Sequence, residues 1–219
     1  MNPDRLTVRL KEPSVFGGPL MSPSLADFRF HFLERELAWT RYGTTPRMEY
    51  YVNRAGAYPY TYGRGEFART YQPQPSNAVI DEIWEEAENF AGVQFDVCFL
   101  NRYVNQSDHL GWHSDNSPEM DDARPIATVS LGAEREIWFR KIPAGDAGLV
   151  VNGNEWEVLG YPKASAIVKL RLPHGSILCM GPGVQDTHQH RIPKSSAACT
   201  DRISLTFRGY VPPVPGASS

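Results

Sequence analysis

The spacing of apolar residues changes once along this chain, near residue 95. Upstream, Ile80, Ile83, Trp84, Ala87 and Phe90 recur at helical intervals and share one face. Ser76 or Asn77 is placed to cap that helix, Asp81 and Glu82 lie near its positive end, and Gly92 is a natural stop. A second helix is predicted with Ser24 as cap and Leu25, Phe28, Phe32 and Leu37 as its apolar face. Both stripes read as core packing. From Phe95 onward the pattern becomes one of short runs rich in Val, Ile, Phe and Thr. These predict strands near 95–103, 126–131, 135–140, 148–151, 155–159, 166–172, 176–180 and 202–208. Asn152-Gly153 sits between two of them and signals a hairpin, because a type I′ turn needs two positive φ angles. Residues 1–23 read as an irregular lead-in and 211–219 as a frayed tail. Helices first and many short strands afterwards predict an α+β fold built on a double-sheet jelly roll or barrel.

Composition narrows this picture. A chain of 219 residues suits one domain with a sizeable core. No apolar run approaches the roughly 18–20 residues that span a bilayer, and the mixed residues Met1 to Leu10 do not read as a signal peptide. Three cysteines, Cys98, Cys179 and Cys199, lack CxxC spacing, which argues against a disulfide framework and for a reducing compartment. The net charge of −3 gives no whole-molecule attraction to a polyanion, so any nucleic-acid binding requires a local basic face.

His113-Ser114-Asp115 is the first chemical signal. In an extended segment residues two apart point the same way, so a histidine nitrogen and a carboxylate oxygen can share a metal. A second histidine from elsewhere would complete a two-His, one-carboxylate triad with open positions, the arrangement of non-haem iron oxygenases. His174, His188 and His190 are the candidates, and geometry does not choose between them. An oxygenase of this kind needs an electron source. 2-Oxoglutarate would chelate iron through its keto-acid end and leave a second carboxylate to be met by arginine, whose planar fork matches it. Arg202 and Arg208 flank the apolar run Ile203-Ser204-Leu205-Thr206-Phe207, and their even separation puts both arginines, Ser204 and Thr206 on one face. Such a strand reads either as the wall between a polar cavity and a core or as an edge strand with a solvated face. A zinc hydrolase built on the same histidines would have no use for the paired arginines, and a binding module without turnover no use for the complete triad.

Taken in order, Leu100-Asn101-Arg102-Tyr103, His113-Ser114-Asp115, Pro125 to Gly132, His174-Gly175, Gln189-His190-Arg191-Ile192-Pro193 and Arg202 to Arg208 resemble the AlkB family of Fe(II)- and 2-oxoglutarate-dependent dioxygenases. The resemblance covers about residues 45–210 and is nearest in its motifs to the AlkB homologue 2 type of nucleic-acid demethylases. It implies His190 as the third metal ligand beside His113 and Asp115. It implies that Asn101, Tyr103, Arg202, Thr206 and Arg208 line a 2-oxoglutarate pocket. The implied architecture is a double-stranded β-helix core over 93–212, preceded over 1–92 by helices and a nucleotide-recognition lid. Arg47, Tyr60 and Tyr62 fall at the family's lid positions, in a segment also carrying Tyr50, Tyr51, Tyr58, Gly56, Gly63 and Gly65; aromatics there suit stacking of an extruded base. Two departures bear on substrate. Ser117, with Glu119 two further on, stands where relatives often have an acidic residue, and Lys169 where they often have a substrate-side arginine. The implied activity is oxidative demethylation of alkylated DNA or RNA bases with Fe(II), 2-oxoglutarate and O2. The expected protein is an intracellular monomer, cytoplasmic if bacterial and nuclear if eukaryotic. The rival is the same chemistry on a modified RNA, a protein or a small molecule.

Overall fold

In the computed structural model the first helix, α1 (Pro23–Glu36), is capped by Ser22 rather than Ser24: Ser22 Oγ accepts from the Leu25 amide at 3.4 Å, and Pro23 takes a first-turn position where it forfeits no bond. The expected apolar face is rotated as well. Ala26, Arg29 and Leu33 are buried, whereas Phe28 is 59% exposed. The cause is an ion pair whose cation is buried. Arg29 turns inward to meet Glu86 at 2.7 and 2.8 Å and Glu82 at 3.1 Å on the second helix, α2 (Ala78–Ala91). That helix forms as expected: Asn77 Oδ1 accepts from the Ile80 amide at 3.0 Å, Gly92 closes it at φ 75°, and Ile80, Ile83, Trp84 and Ala87 are buried.

The described residues are 6–8, 14–56, 58–62, 69–142, 149–152, 155–158 and 167–211, with only the backbone described for 6–8, 62, 149–152 and 155–158. Strands are numbered in chain order. A seven-stranded sheet runs β1 (Leu6–Val8), β2 (Val15–Pro19), β13 (Ser176–Met180), β8 (Ile126–Gly132), β15 (Arg202–Arg208), β6 (Val97–Tyr103), β3 (Met48–Asn53). A four-stranded sheet runs β12 (Val168–Leu172), β9 (Arg135–Lys141), β14 (His188–Ile192), β7 (Leu110–His113). Two ribbons stand apart, β4 (Tyr60–Tyr62) with β5 (Arg69–Tyr71) and β10 (Leu149–Asn152) with β11 (Glu155–Val158). The lead-in is therefore not irregular: β1 and β2 extend the large sheet, and β2 pairs β13 from Pro19↔Ser176 to Val15↔Met180. In the expected hairpin Asn152 pairs with Glu155; Gly153, and the tail from 212, lie outside the described residues, as do Gly63 and Gly65.

Three layers result. The helices cover one face of the large sheet, where Trp84, Ile83 and Leu33 pack with Leu100, Val129, Ile203, Leu205 and Phe207. Val15, Ile126, Leu178 and Met180 of the large sheet meet Ile137, Phe139, Leu172 and Ile192 of the small one. The fold is α+β, with a jelly-roll core. β15 lies between β8 and β6 and is buried along its length, so the solvated-edge reading of Arg202–Arg208 gives way to the wall reading: odd positions face the helices, even positions the other side.

Candidate metal centre and co-substrate pocket

β7 and β14 are neighbours at the edge of the small sheet, and His113 pairs directly with His190. That register brings the two imidazole rings to 4.2 Å between centroids. Asp115, two residues beyond His113, points to the same side. One ligand atom from each of His113, Asp115 and His190 lies within 4.8 Å of the others. His113 Nε2 stands 3.4 Å from Asp115 Oδ1, and His190 Nε2 stands 3.6 Å from Asp115 Oδ2. His113 Nδ1 sits 2.9 Å from the Gly111 carbonyl; a carbonyl only accepts, so the proton belongs on Nδ1 and the Nε2 lone pair turns toward the cluster.

Electrostatics match the needs of a cation. Burial and the neighbouring His113 lower the His190 pKa to about 4, so its imidazole is neutral at pH 7. Burial alone would raise the Asp115 pKa, but the Arg208 guanidinium and the two imidazoles hold the carboxyl well below the usual range. Arg208 reaches Asp115 Oδ2 at 2.7 Å, and the buried Gln185 of the short helix α3 (Val184–Thr187) accepts from the Asp115 amide at 2.9 Å. Two imidazoles and an ionised carboxylate that converge on one point, with Asp115 and His190 buried, suit a divalent metal of the facial-triad type. Of the other candidate histidines, His174 is a turn residue. Its Nδ1 accepts from the Gly132 amide at 2.7 Å, and Nε2 lies 3.1 Å from Asp27. His188 contacts Thr187 Oγ1 at 3.0 Å and is not among the converging groups.

A position suited to an anion lies nearby on β15. Arg202 is 1% exposed, and one guanidinium nitrogen donates to Ser130 Oγ at 2.8 Å. Its Nε and second terminal nitrogen are buried with no hydrogen-bond partner among the described residues. Burial lowers its pKa to about 10, which still leaves it charged at neutrality. A buried charged fork with open donors suits a carboxylate. Tyr103 places its ring 5.3 Å beneath Arg202, and Ser204 and Thr206 lie buried along the same face of β15.

Arg47, Tyr60, Asn101, His113, Asp115 and Arg208 line one cavity together with Tyr71, Phe99 and Leu110. Tyr60 stacks at 6.3 Å on Tyr71, and its hydroxyl pairs with Ser117 Oγ at 2.9 Å. Arg47 is no exposed lid residue. It is 6% exposed, donates from Nε to Asn101 Oδ1 at 2.8 Å and pairs with Glu49 at 2.6 Å. Tyr50 and Tyr51 are core residues of β3, and the Tyr62 side chain lies outside the described residues. Lys169 is not in the cavity: it stands on the outer face of the small sheet, 4.2 Å over the Trp138 ring. Sequence reasoning missed Gln185, Glu49 and the Tyr71–Phe99 wall. None stands in a motif; each enters only through tertiary pairing.

The chain belongs to the 2OG-Fe(II) oxygenase superfamily, whose family model matches residues 16–208. Its similarities lie in the AlkB branch. It is 33% identical to "Alpha-ketoglutarate-dependent dioxygenase alkB homolog 3" of Bos taurus, over 88% of this chain and 64% of that protein. It is 34% identical to the Homo sapiens protein of the same description, over 74% of this chain and 52% of that one. It is 30% identical to "DNA oxidative demethylase ALKBH2" of Mus musculus, over 69% and 61%. The chain thus spans about half to two thirds of the length of the curated relatives it matches. The solved structure of OsALKBH1 superposes with a TM-score of 0.54 at 16% identity, covering 93% of this chain and 100% of that one, a likeness of fold alone. Fe(II), 2-oxoglutarate and O2 are the cofactor and co-substrates of this class and of this chain. No helix among the described residues is long and apolar enough to cross a membrane.

Proposed function

We propose that the chain is an oxidative demethylase that removes N-alkyl groups from bases in DNA or RNA, with formaldehyde, succinate and CO2 as products. The observation that carries this reading is one cavity in which the His113–Asp115 pair meets an aromatic wall of Tyr60, Tyr71 and Phe99. His113, Asp115 and His190 would hold Fe(II). Arg202 would take the distal carboxylate of 2-oxoglutarate on its two open donors, with Asn101, Tyr103 and Thr206 lining the pocket. When bound, iron with 2-oxoglutarate and O2 supplies the oxidation that turns an N-methyl into a hydroxymethyl group, which leaves as formaldehyde. Arg208 holds the Asp115 carboxylate ionised and oriented. Tyr60 offers a ring to an extruded base and a hydroxyl, tied to Ser117, at its edge. Residues 1–92 would supply substrate recognition and 93–212 the oxygenase core, in a monomer acting inside the cell.

A second reading keeps the chemistry and changes the substrate to a modified RNA, protein or small molecule. Ser117 favours it, because a hydroxyl shared with Tyr60 reads an exocyclic amine less strongly than a carboxylate does. Incubation with Fe(II), 2-oxoglutarate and a panel of methylated oligonucleotides, read by mass spectrometry, tests the proposal. Loss of methyl groups together with succinate formation is expected. Succinate formed without demethylation of any oligonucleotide would turn the reading toward the second class.

A further inference from the structure

Glu49 is a buried carboxylate that neither the metal centre nor the proposed chemistry uses. It stands on β3, where Tyr50 and Val52 pack under the helices, so Glu49 and Tyr51 face the other way, toward the ribbon. Its side chain is fully buried. A carboxylate taken out of water is costly unless ion pairs and hydrogen bonds surround it. Here they come from two parts of the molecule. Arg47, just before β3, places Nη2 at 2.6 Å from Glu49 Oε1. From the ribbon strand β5, the Tyr71 hydroxyl donates to Oε2 at 3.1 Å, and Arg69 Nη1 lies 3.5 Å from the same oxygen.

The two sides of this pairing lead to different places. Arg47 Nε donates to Asn101 Oδ1 at 2.8 Å. A side-chain amide has one oxygen that accepts and one nitrogen that donates. With the oxygen held by Arg47, the end of Asn101 left to serve the cavity is its Nδ2 donor, which is what an anionic oxygen needs. Turned over, the same amide would set its own oxygen against an anion. The register fixes the spacing, because Asn101 pairs directly with Glu49 on one side and with Ser204 of the arginine strand on the other. On the ribbon side, Tyr71 stacks on Tyr60 at 6.3 Å and meets Phe99 edge-on at 4.8 Å, all three at the cavity wall. β4 and β5 pair only with each other, so the seat of the ribbon on the core depends on side-chain ties of this kind. One carboxylate thus stands between the aromatic wall and the amide that faces the co-substrate.

We propose that Glu49 is a positioning residue that links the β4–β5 ribbon to the co-substrate pocket. It seats Arg47 so that the Asn101 amide presents Nδ2 to 2-oxoglutarate, and its own position is held from the ribbon by Tyr71. The inference rests on the assignment of Asn101 to the co-substrate pocket in the reading above, and deepens it by naming the residue that sets that amide. Coupling of this kind is reciprocal. A ribbon held in place tightens 2-oxoglutarate, and 2-oxoglutarate in its pocket firms the ribbon before a substrate arrives. Arg69 also donates to Thr45 Oγ1 at 2.5 Å and so ties the ribbon down by a second route, which makes the Tyr71 hydroxyl the cleaner probe of the link.

The test is the Kd of 2-oxoglutarate by titration calorimetry, with Mn(II) in place of Fe(II) and no nucleic acid present. Glu49→Gln keeps the shape of the side chain and removes its charge; Kd should rise about tenfold, as for a lost hydrogen bond to a charged group. Tyr71→Phe keeps the ring against Tyr60 and Phe99 and removes only the donor; Kd should rise about threefold with the thermal melt little changed. Tyr71→Phe carries the test alone if Glu49→Gln does not fold. Asn101→Ala should raise Kd about tenfold or more. In that background neither of the other two changes should raise it further by more than about twofold, whereas independent effects would multiply. A lowered melt with Kd within about twofold of the wild type makes Glu49 a structural counter-ion and overturns the link. Effects that multiply in the Asn101→Ala background overturn it as well. A rise in Glu49→Gln without one in Tyr71→Phe separates the ribbon from the pocket and has the same consequence. An unchanged Kd in Asn101→Ala overturns both the place of Asn101 and the link, while the demethylase reading stands. Conversely, a chain that demethylates no oligonucleotide overturns that reading and leaves the outcome of this titration untouched.

Discussion

Replacing Arg202 with Met separates a co-substrate site from a structural cation. Without an anion, the guanidinium is a fully buried charge with two unmet donors. Such a group costs stability, and a hydrophobic side chain of similar volume in its place is often neutral or stabilising by about 1–4 kcal/mol. Against this stands the loss of the Ser130 hydrogen bond, about 1 kcal/mol. The ligand-free variant should therefore melt within a few degrees of the wild type or above it. Ligand changes the comparison. At one hundred times its Kd, 2-oxoglutarate adds about 2.7 kcal/mol to the wild type, a rise of roughly 5–10 °C for a chain of this size. The variant lacks two charge-assisted bonds of about 1.5–3 kcal/mol each, so the rise should vanish. The assay is a thermal melt with and without 2-oxoglutarate, with Mn(II) in place of Fe(II) to prevent turnover. A retained ligand shift, or a ligand-free variant weaker by more than about 3 kcal/mol, would refute the reasoning. Arg202→Lys keeps the charge without the fork and should raise the KM for 2-oxoglutarate tenfold or more.

His190→Ala should abolish iron-dependent succinate formation and His188→Ala should keep most of it; the reverse order would reassign the third ligand. Tyr60→Ala should lower kcat/KM on methylated oligonucleotide by roughly 5- to 150-fold through lost stacking of about 1–3 kcal/mol, while Tyr60→Phe, which keeps the ring, should change it only a few-fold. Asp108 supplies a pH dependence. Burial raises its pKa, but bonds from Arg41 at 2.8 and 3.0 Å and from the Val104 amide at 2.9 Å outweigh this, so the folded value is depressed. Its contribution is fully present above the unfolded value of about 3.9 and is lost as pH falls through the folded one. In urea unfolding, Asp108→Asn should be less stable than the wild type at pH 7, and the gap should close below about pH 4; a gap independent of pH would contradict the ion-pair account.

What the sequence revealed depended on whether a signal was local. The α2 caps and the alternation in β15 are local, and both were legible. Composition does not mark β7 and β14 as strands, because Leu-Gly-Trp-His and His-Gln-His-Arg-Ile lack a β-branched run; only their pairing shows why His113 and His190 face each other. β2, Val-Phe-Gly-Gly-Pro, hides behind two glycines and is held by β13. Phe28 was expected inside; the helix turns Arg29 inward instead, because Glu82 and Glu86 of a distant helix neutralise it, which hydropathy cannot see. Arg47 read as a lid cation for the same reason: its partners, Glu49 and Asn101, meet it only through the β3–β6 pairing. The choice of His190 over His188 came from resemblance, and the structure adds the convergence behind it.

β15 and the β4–β5 ribbon differ in how firmly the molecule holds them. β15 is hydrogen-bonded to strands on both sides and packed beneath the helices, so its amides can open only when the whole molecule opens. The ribbon has two short strands and carries Tyr60 at the cavity wall. On the proposed assignments, 2-oxoglutarate would bind along a strand held from both sides, and substrate would be chosen at a ribbon whose two strands pair only with each other. A descendant of this chain could change what it selects by altering a few ribbon residues, with the arginine strand untouched and the oxidising machinery intact throughout.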